Sequence, residues 1–159
     1  MARGLGKARG FTLIELLVVI SLLAIMAALA APSMSQLIAG QRVRAFATDL
    51  HLVLVMARTE AIKRNASVTL APVGGDWNAG WTVADPAGGA TPLDSHGPSA
   101  NVSVTSAVTQ VVFGSTGRAT IAPAGGASTF IFTSPTTSKV RCVSIDSTGR
   151  PYVKEAATC

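Results

Sequence analysis

Two different rhythms of apolar residues divide the chain. From Phe11 to Ala31 the polar positions are Thr12, Glu15 and Ser21, so the segment is apolar on every side. Residues 13–31 are close to the ~20 that a helix needs to cross a hydrocarbon core of about 30 Å. From Ser33 to Arg64 apolar residues recur mostly three and four apart, at Met34, Leu37, Ile38, Ala45, Phe46, Leu50, Val53, Leu54, Ala57 and Ala61. Gln41, Arg42, Arg44, Asp49, Arg58 and Lys63 fill much of the remainder, the pattern of a helix with one packed face. A single helix over residues 12–64 would be roughly 80 Å long. Pro32 removes one backbone hydrogen bond and is expected to kink it. Lys63 and Arg64 suit the negative end of the helix dipole, and Asn65 suits a C-terminal cap.

After Asn65 the period shortens toward two. Ser67–Leu70, Trp81–Val83, Val102–Val104, Gln110–Phe113, Thr129–Phe132, Val140–Ile145 and Tyr152–Val153 read as short strands between clusters of Gly, Pro, Ser and Asp. The expected fold is α+β: a long N-terminal helix, first membrane-spanning and then amphipathic, packed on a small antiparallel β-domain. The expected divisions are a leader at 1–10, a transmembrane part at 11–31, an amphipathic helix at 32–64 and a β-rich domain at 65–159. Trp77 and Trp81 bracket a turn and are expected to anchor the core through their large buried area. The sequence Ser-Thr-Gly-Arg occurs twice after a strand, ending at Arg118 and at Arg150. Each copy reads as a hairpin turn in which glycine supplies positive φ.

Composition sharpens this picture. The 159 residues are 48% hydrophobic and 13% charged. That excludes a disordered chain, which needs low hydrophobicity and high charge. The net charge of +5 owes much to Arg3, Lys7 and Arg9; the remainder has ten basic and eight acidic residues. Residues 65–117 hold Asp76, Asp85 and Asp94 and no Lys or Arg, so an anionic partner would meet the helix or the C-terminal part. The motifs show no catalytic constellation. His51 and His96 have no paired nucleophile, and the three aspartates lack the spacing of a calcium loop. The expectation is no enzyme, no cofactor, no metal and no small-molecule substrate.

The leader Met1–Gly10 is basic and carries no acid, which keeps it cytoplasmic and sends the rest of the chain across the membrane. A cleaved signal peptide is one alternative, since Ala28-Leu29-Ala30 is an acceptable site. Glu15 argues otherwise. A carboxylate inside a membrane segment costs several kcal/mol unless paired, and neither a disposable signal nor a plain anchor has a reason to carry one.

Gly10-Phe11-Thr12-Leu13-Ile14-Glu15 after a basic leader resembles the processing site of type IV pilins and type II secretion pseudopilins. The resemblance implies cleavage after Gly10 by a prepilin peptidase, N-methylation of Phe11, and retention of Glu15. It also matches Pro32 to a helix-bending proline. The Glu15 carboxylate would then meet the Phe11 ammonium of a neighbouring subunit. Ala57-Arg58-Thr59-Glu60-Ala61-Ile62-Lys63-Arg64-Asn65, and the segment from Gly75 to Asp85 with its two tryptophans, resemble one subfamily: the minor pseudopilin H of type II secretion together with the FimT-type minor pilins. The implied protein is a single-pass inner-membrane subunit of a periplasmic filament, with other pilins or pseudopilins as partners, acting in type II secretion or type IV pilus assembly. The alternative implied by the FimT side is capture of double-stranded DNA during natural transformation. Its Gly-Arg-x-Arg element is matched here by Gly149 and Arg150, with Tyr152 at the second arginine's place and Lys154 beyond. Arg118, Lys139, Arg141, Arg150 and Lys154 would contact phosphate, and Tyr152 would stack. In an oxidising periplasm Cys142 and Cys159 invite a disulfide.

Overall fold

The computed structural model describes residues 10–125, 128–156 and 159; the basic leader up to Arg9, with Arg3 and Lys7, lies outside the described residues. Among the described residues one α-helix, α1 (Leu13–Arg64), is followed by nine strands, with two short 3-10 turns at Val73–Gly75 and Trp77–Ala79. The chain forms two compact units, divided within α1 after Ser35.

In the first unit, α1 starts because Thr12 and Glu15 satisfy each other's free backbone groups. Thr12 Oγ1 accepts the Glu15 N–H at 3.2 Å, and Glu15 Oε2 accepts the Thr12 N–H at 3.0 Å and its hydroxyl at 2.9 Å. This is a capping box, which pairs two of the donors that every helix start leaves open. Glu15 therefore has a local role that the argument from membrane cost alone did not supply. The helix then runs through Pro32. Ser33 and Ser35 donate their hydroxyls to Ala30 O and Pro32 O, each at 2.8 Å. Every side chain from Phe11 to Ser35 is exposed in the single chain, Phe11 by 81%. By length and composition this part of the helix suffices to cross a membrane.

In the second unit the helix buries Ala39, Gly40, Val43, Phe46, Ala47, Leu50, Val53, Leu54, Ala57 and Ala61. This stripe differs from the sequence expectation at its start. Leu37, Ile38 and Ala45 are exposed, while the small residues Ala39, Gly40 and Ala47 are inside. Gly40 lies under the stem of Lys139, and the small size of these three residues hides them from a hydropathy pattern.

Two antiparallel sheets complete the unit. The first has the order β3 (Asp94–His96), β2 (Trp81–Val83), β1 (Val68–Pro72), β5 (Gln110–Phe113), β6 (Ala119–Ala122). The second has the order β4 (Ser103–Thr105), β7 (Thr129–Ser134), β8 (Thr137–Ile145), β9 (Pro151–Glu155). β3 and β6 carry no clear apolar alternation and were not expected. Both are edge strands, defined by backbone pairing to one neighbour. The core joins the helix stripe to Leu70, Trp81, Val111, Phe113, Phe130, Phe132 and Val143. Both tryptophans serve it. Trp77 donates Nε1–H to Val108 O at 2.6 Å and packs edge-on to Phe130, and Trp81 lies 4.9 Å from Phe46 between ring centres.

Candidate functional site

Two groups of residues carry the candidate chemistry. The first is the start of α1. Its capping box places Glu15 one helical turn from Thr12, on one surface with Phe11, and both of the carboxylate's bonds fall on Oε2. Phe11, Ile14, Glu15, Val18 and Val19 form an open, mainly apolar surface. A carboxylate set at one end of an apolar helix face can take a cation while the remainder packs.

The second group is the set of basic residues in the β-domain. The two Ser-Thr-Gly-Arg copies are hairpin turns, the first joining β5 to β6 and the second β8 to β9. They share one geometry. Gly117 N–H donates to Gly114 O and Gly149 N–H to Asp146 O, with φ of +76° and +84°. In the second turn Asp146 Oδ1 also accepts the Thr148 hydroxyl at 2.6 Å and the Thr148 and Arg150 N–H groups at 2.8 Å. The Thr148 hydroxyl, then the Arg150 N–H, holds this carboxyl below the usual range. The turns also touch each other. A Cβ on Gly149 would fall 2.5 Å from Gly117 O and 3.2 Å from Arg118 Cα. Both glycines are buried, and Arg118 and Arg150 stand exposed on adjoining turns. Arg58 of α1 reaches Gly117, with its Nε 3.1 Å from the position of a Cβ there.

The other expected contacts are placed differently. Arg141 is 8% exposed, donating to Glu155 Oε1 at 2.8 Å and to Val140 O at 3.2 Å. Burial and pairing take it out of an open patch. Lys139 lays its stem on Gly40 of α1. Lys154 and Tyr152 sit opposite Cys142 and Ser144 in the β8–β9 register, on the sheet face away from Val143 and Ile145. The Lys154 ammonium is 5.3 Å from the centre of the Tyr152 ring. The structure thus groups Arg118 with Arg150 and Tyr152 with Lys154, and turns Lys139 and Arg141 toward the helix. Cys142 and Cys159 are bonded, with Cα atoms 5.9 Å apart.

Three pairings had no sequence signal, because their partners are far apart in the chain. Arg141 meets Glu155. Asp49 of α1 lies 3.4 Å from His96 Nε2, with the His96 ring stacked on Trp81. Arg64 joins Glu60 at 2.6 Å to Asp85 at 2.9 Å, and with Lys63 it holds the Glu60 carboxyl below its usual range. Among the described residues no group of three or more His, Cys, Asp or Glu side chains could hold a metal ion.

A capped, fully exposed apolar helix continuing into a small two-sheet β-domain is the architecture of a pilin. The family model described as type II transport protein GspH matches residues 46–149, and that of the prokaryotic N-terminal methylation motif matches residues 5–31. The chain belongs to the GspH family of minor pilins and pseudopilins. Among solved structures it is similar to the type IV minor pilin FimU of Pseudomonas aeruginosa PAO1. One crystal structure of that protein is 25% identical, with 73% of this chain and 94% of that chain covered and a TM-score of 0.57. A second is 24% identical, with 75% and 92% covered and a TM-score of 0.59. No curated protein matches the sequence. The family consists of structural subunits that assemble with other pilins into filaments. The apolar start of α1 and the methylation motif point to anchoring in the inner membrane.

Proposed function

We propose that the chain is a minor filament subunit that waits in the inner membrane with its leader on the cytoplasmic side. A prepilin peptidase cuts after Gly10, Phe11 is N-methylated, and the β-domain joins a periplasmic filament of the type II secretion and type IV pilus class. One observation carries this reading: a carboxylate held at the head of an apolar helix by Thr12, with both bonds on Oε2. Cleavage at Gly10 would create an ammonium at Phe11. Opposite charges about 4 Å apart attract far more strongly in a low-dielectric medium than in water. Desolvation offsets much of that gain, so the pair sets register as well as affinity.

Mass spectrometry of the mature chain is expected to find N-methylated Phe11 at its start; a chain beginning at Ala31 would instead support secretory cleavage. Glu15→Ala should insert in the membrane normally but enter filaments about tenfold less, the effect of about 1.4 kcal/mol. Unchanged incorporation would refute the charge-pair argument. Deleting the gene and measuring both exoprotein release and surface piliation separates the two machineries.

The adjoining turns favour a second reading, capture of double-stranded DNA. They bring Arg118 and Arg150 to one edge of the domain, two cations a duplex phosphate backbone would meet together. Full-length protein in detergent should then retard duplex DNA in a salt-dependent way, and Arg150→Ala with Lys154→Ala should weaken the shift. No retardation at low salt removes this reading.

A further inference from the structure

One side of α1 meets β8 through charge. Gly40, Arg44 and Thr48 follow at intervals of four, on one side of the helix. Lys139 and Arg141 alternate on one face of β8. The fold brings the two rows together. The Lys139 stem lies over Gly40, its Cδ 3.0 Å from where a Cβ would stand. One turn further, Arg44, Thr48, Arg141, Val153 and Glu155 line a polar cleft of about 300 Å³. The Thr48 hydroxyl already donates to Arg44 O at 2.9 Å, so the guanidiniums supply the cleft's donors. Arg141 is nearly buried, and its bonds to Glu155 and Val140 O leave others of its five N–H groups over. Among the described residues Arg44 and Lys139 enter no ion pair. Three cations therefore stand along this junction against one carboxylate, Glu155.

The junction follows directly on the apolar run. Large exposed apolar residues of α1 continue through Met34 and Leu37 to Ile38. A helical run from Leu13 to Ile38 covers roughly 40 Å, close to the thickness of a bilayer with its headgroup layers. Gly40, under Lys139, comes two residues later, and Arg44 one turn beyond it. The first acid after Glu15 is Asp49. A planar guanidinium matches phosphate oxygens two at a time, and an anionic leaflet attracts each cation near its surface.

Resting on the membrane placement proposed above, we infer that the cleft between Arg44 and Arg141 binds the phosphodiester headgroup of an anionic phospholipid, with Lys139 beside it. Free phosphate carries the same oxygens, but the position just past the apolar run favours a lipid. A headgroup held there fixes the depth at which the run sits in the bilayer.

The test uses the processed full chain in detergent, with bound phosphatidylglycerol or phosphatidylcholine counted by native mass spectrometry. Phosphatidylglycerol should bind at least about fivefold more tightly, the scale of one cation near an anionic surface. Arg44→Gln, at an exposed position, should remove about that factor. Arg42→Gln, exposed on the far side of the helix, should change it less than about twofold, because screening weakens a charge that does not line the cleft. Glu155→Gln removes the carboxylate that competes for Arg141 and should tighten binding, a sign that a merely structural pair would not give. Inorganic phosphate at matched ionic strength should leave the lipid bound. Equal binding of the two lipids, equal losses in Arg42→Gln and Arg44→Gln, or no gain in Glu155→Gln overturns the proposal. Full displacement by inorganic phosphate overturns the lipid assignment in favour of a free anion. A mature chain starting at Ala31 would instead mark failure of the membrane placement, whatever the lipid result.

Discussion

Gly149 and Asp146 show how much a single position can fix. Gly149 has φ of +84°, and a Cβ on it would press into Gly117 O and Ala119 N. Both the conformation and the space demand glycine. Gly149→Ala should therefore lower stability by about 1–3 kcal/mol, read from thermal unfolding of the full chain in detergent. Gly74→Ala shares a positive φ but meets no neighbour, and should cost less. Asp146 makes a pH prediction. Its carboxyl is held below the usual range by the Thr148 hydroxyl and the Arg150 N–H. A depressed native pKa adds stability that is fully present above the unfolded-state value and is lost as pH falls through the native one. Acid unfolding of Asp146→Asn should lack this component, so its stability should fall less steeply than that of the wild type below about pH 4. Equal slopes would show that the turn holds no such charge.

Elements here are joined across long sequence distances. α1 meets both sheets through one stripe, and Leu54 on it is fully buried. Leu54→Ala should cost about 3 kcal/mol, the usual outcome of deleting a buried leucine side chain, visible as a lower denaturation midpoint. The disulfide ties residue 159 to β8 across a separation of 17 residues. Cys159→Ser should lose roughly 3 kcal/mol on the chain-entropy account and leave the remaining thiol labelled by a maleimide after unfolding. A wild-type chain that takes up two maleimides without reductant would contradict the pairing. Most strands legible in the sequence carry apolar alternation, such as Thr129–Phe132 within β7. β3 and β6 were illegible because an edge strand is recruited by its neighbour's free backbone groups, whatever its side chains.

The whole molecule divides where its solvent changes. Residues up to Ser35 make one unit with every described side chain exposed, and residues 36–159 make another with its own core. The second unit alone should be soluble without detergent and should melt cooperatively in calorimetry. A fragment of residues 36–159 that aggregates or shows no transition would mean that the core needs the apolar segment.

The sequence alone determined what depends on near neighbours: the apolar helix start, the helix that follows, the two glycine turns, most strands and the processing-site resemblance. Each rests on the spacing of residues a few positions apart, which local sterics and hydropathy decide. Only the tertiary structure decided which basic residues stand together. Arg118 joins Arg150 because two turns 32 residues apart dock through their glycines, whereas Arg141 is buried against Glu155 and Lys139 lies along the helix. Leu52 and Val55 are as apolar as Val53 and Leu54 yet stay exposed, because a helix pattern alone does not say which apolar row the core takes. Packing decides that: the buried row with Val43, Phe46, Leu50, Val53 and Leu54 is the one that joins the core of the two sheets.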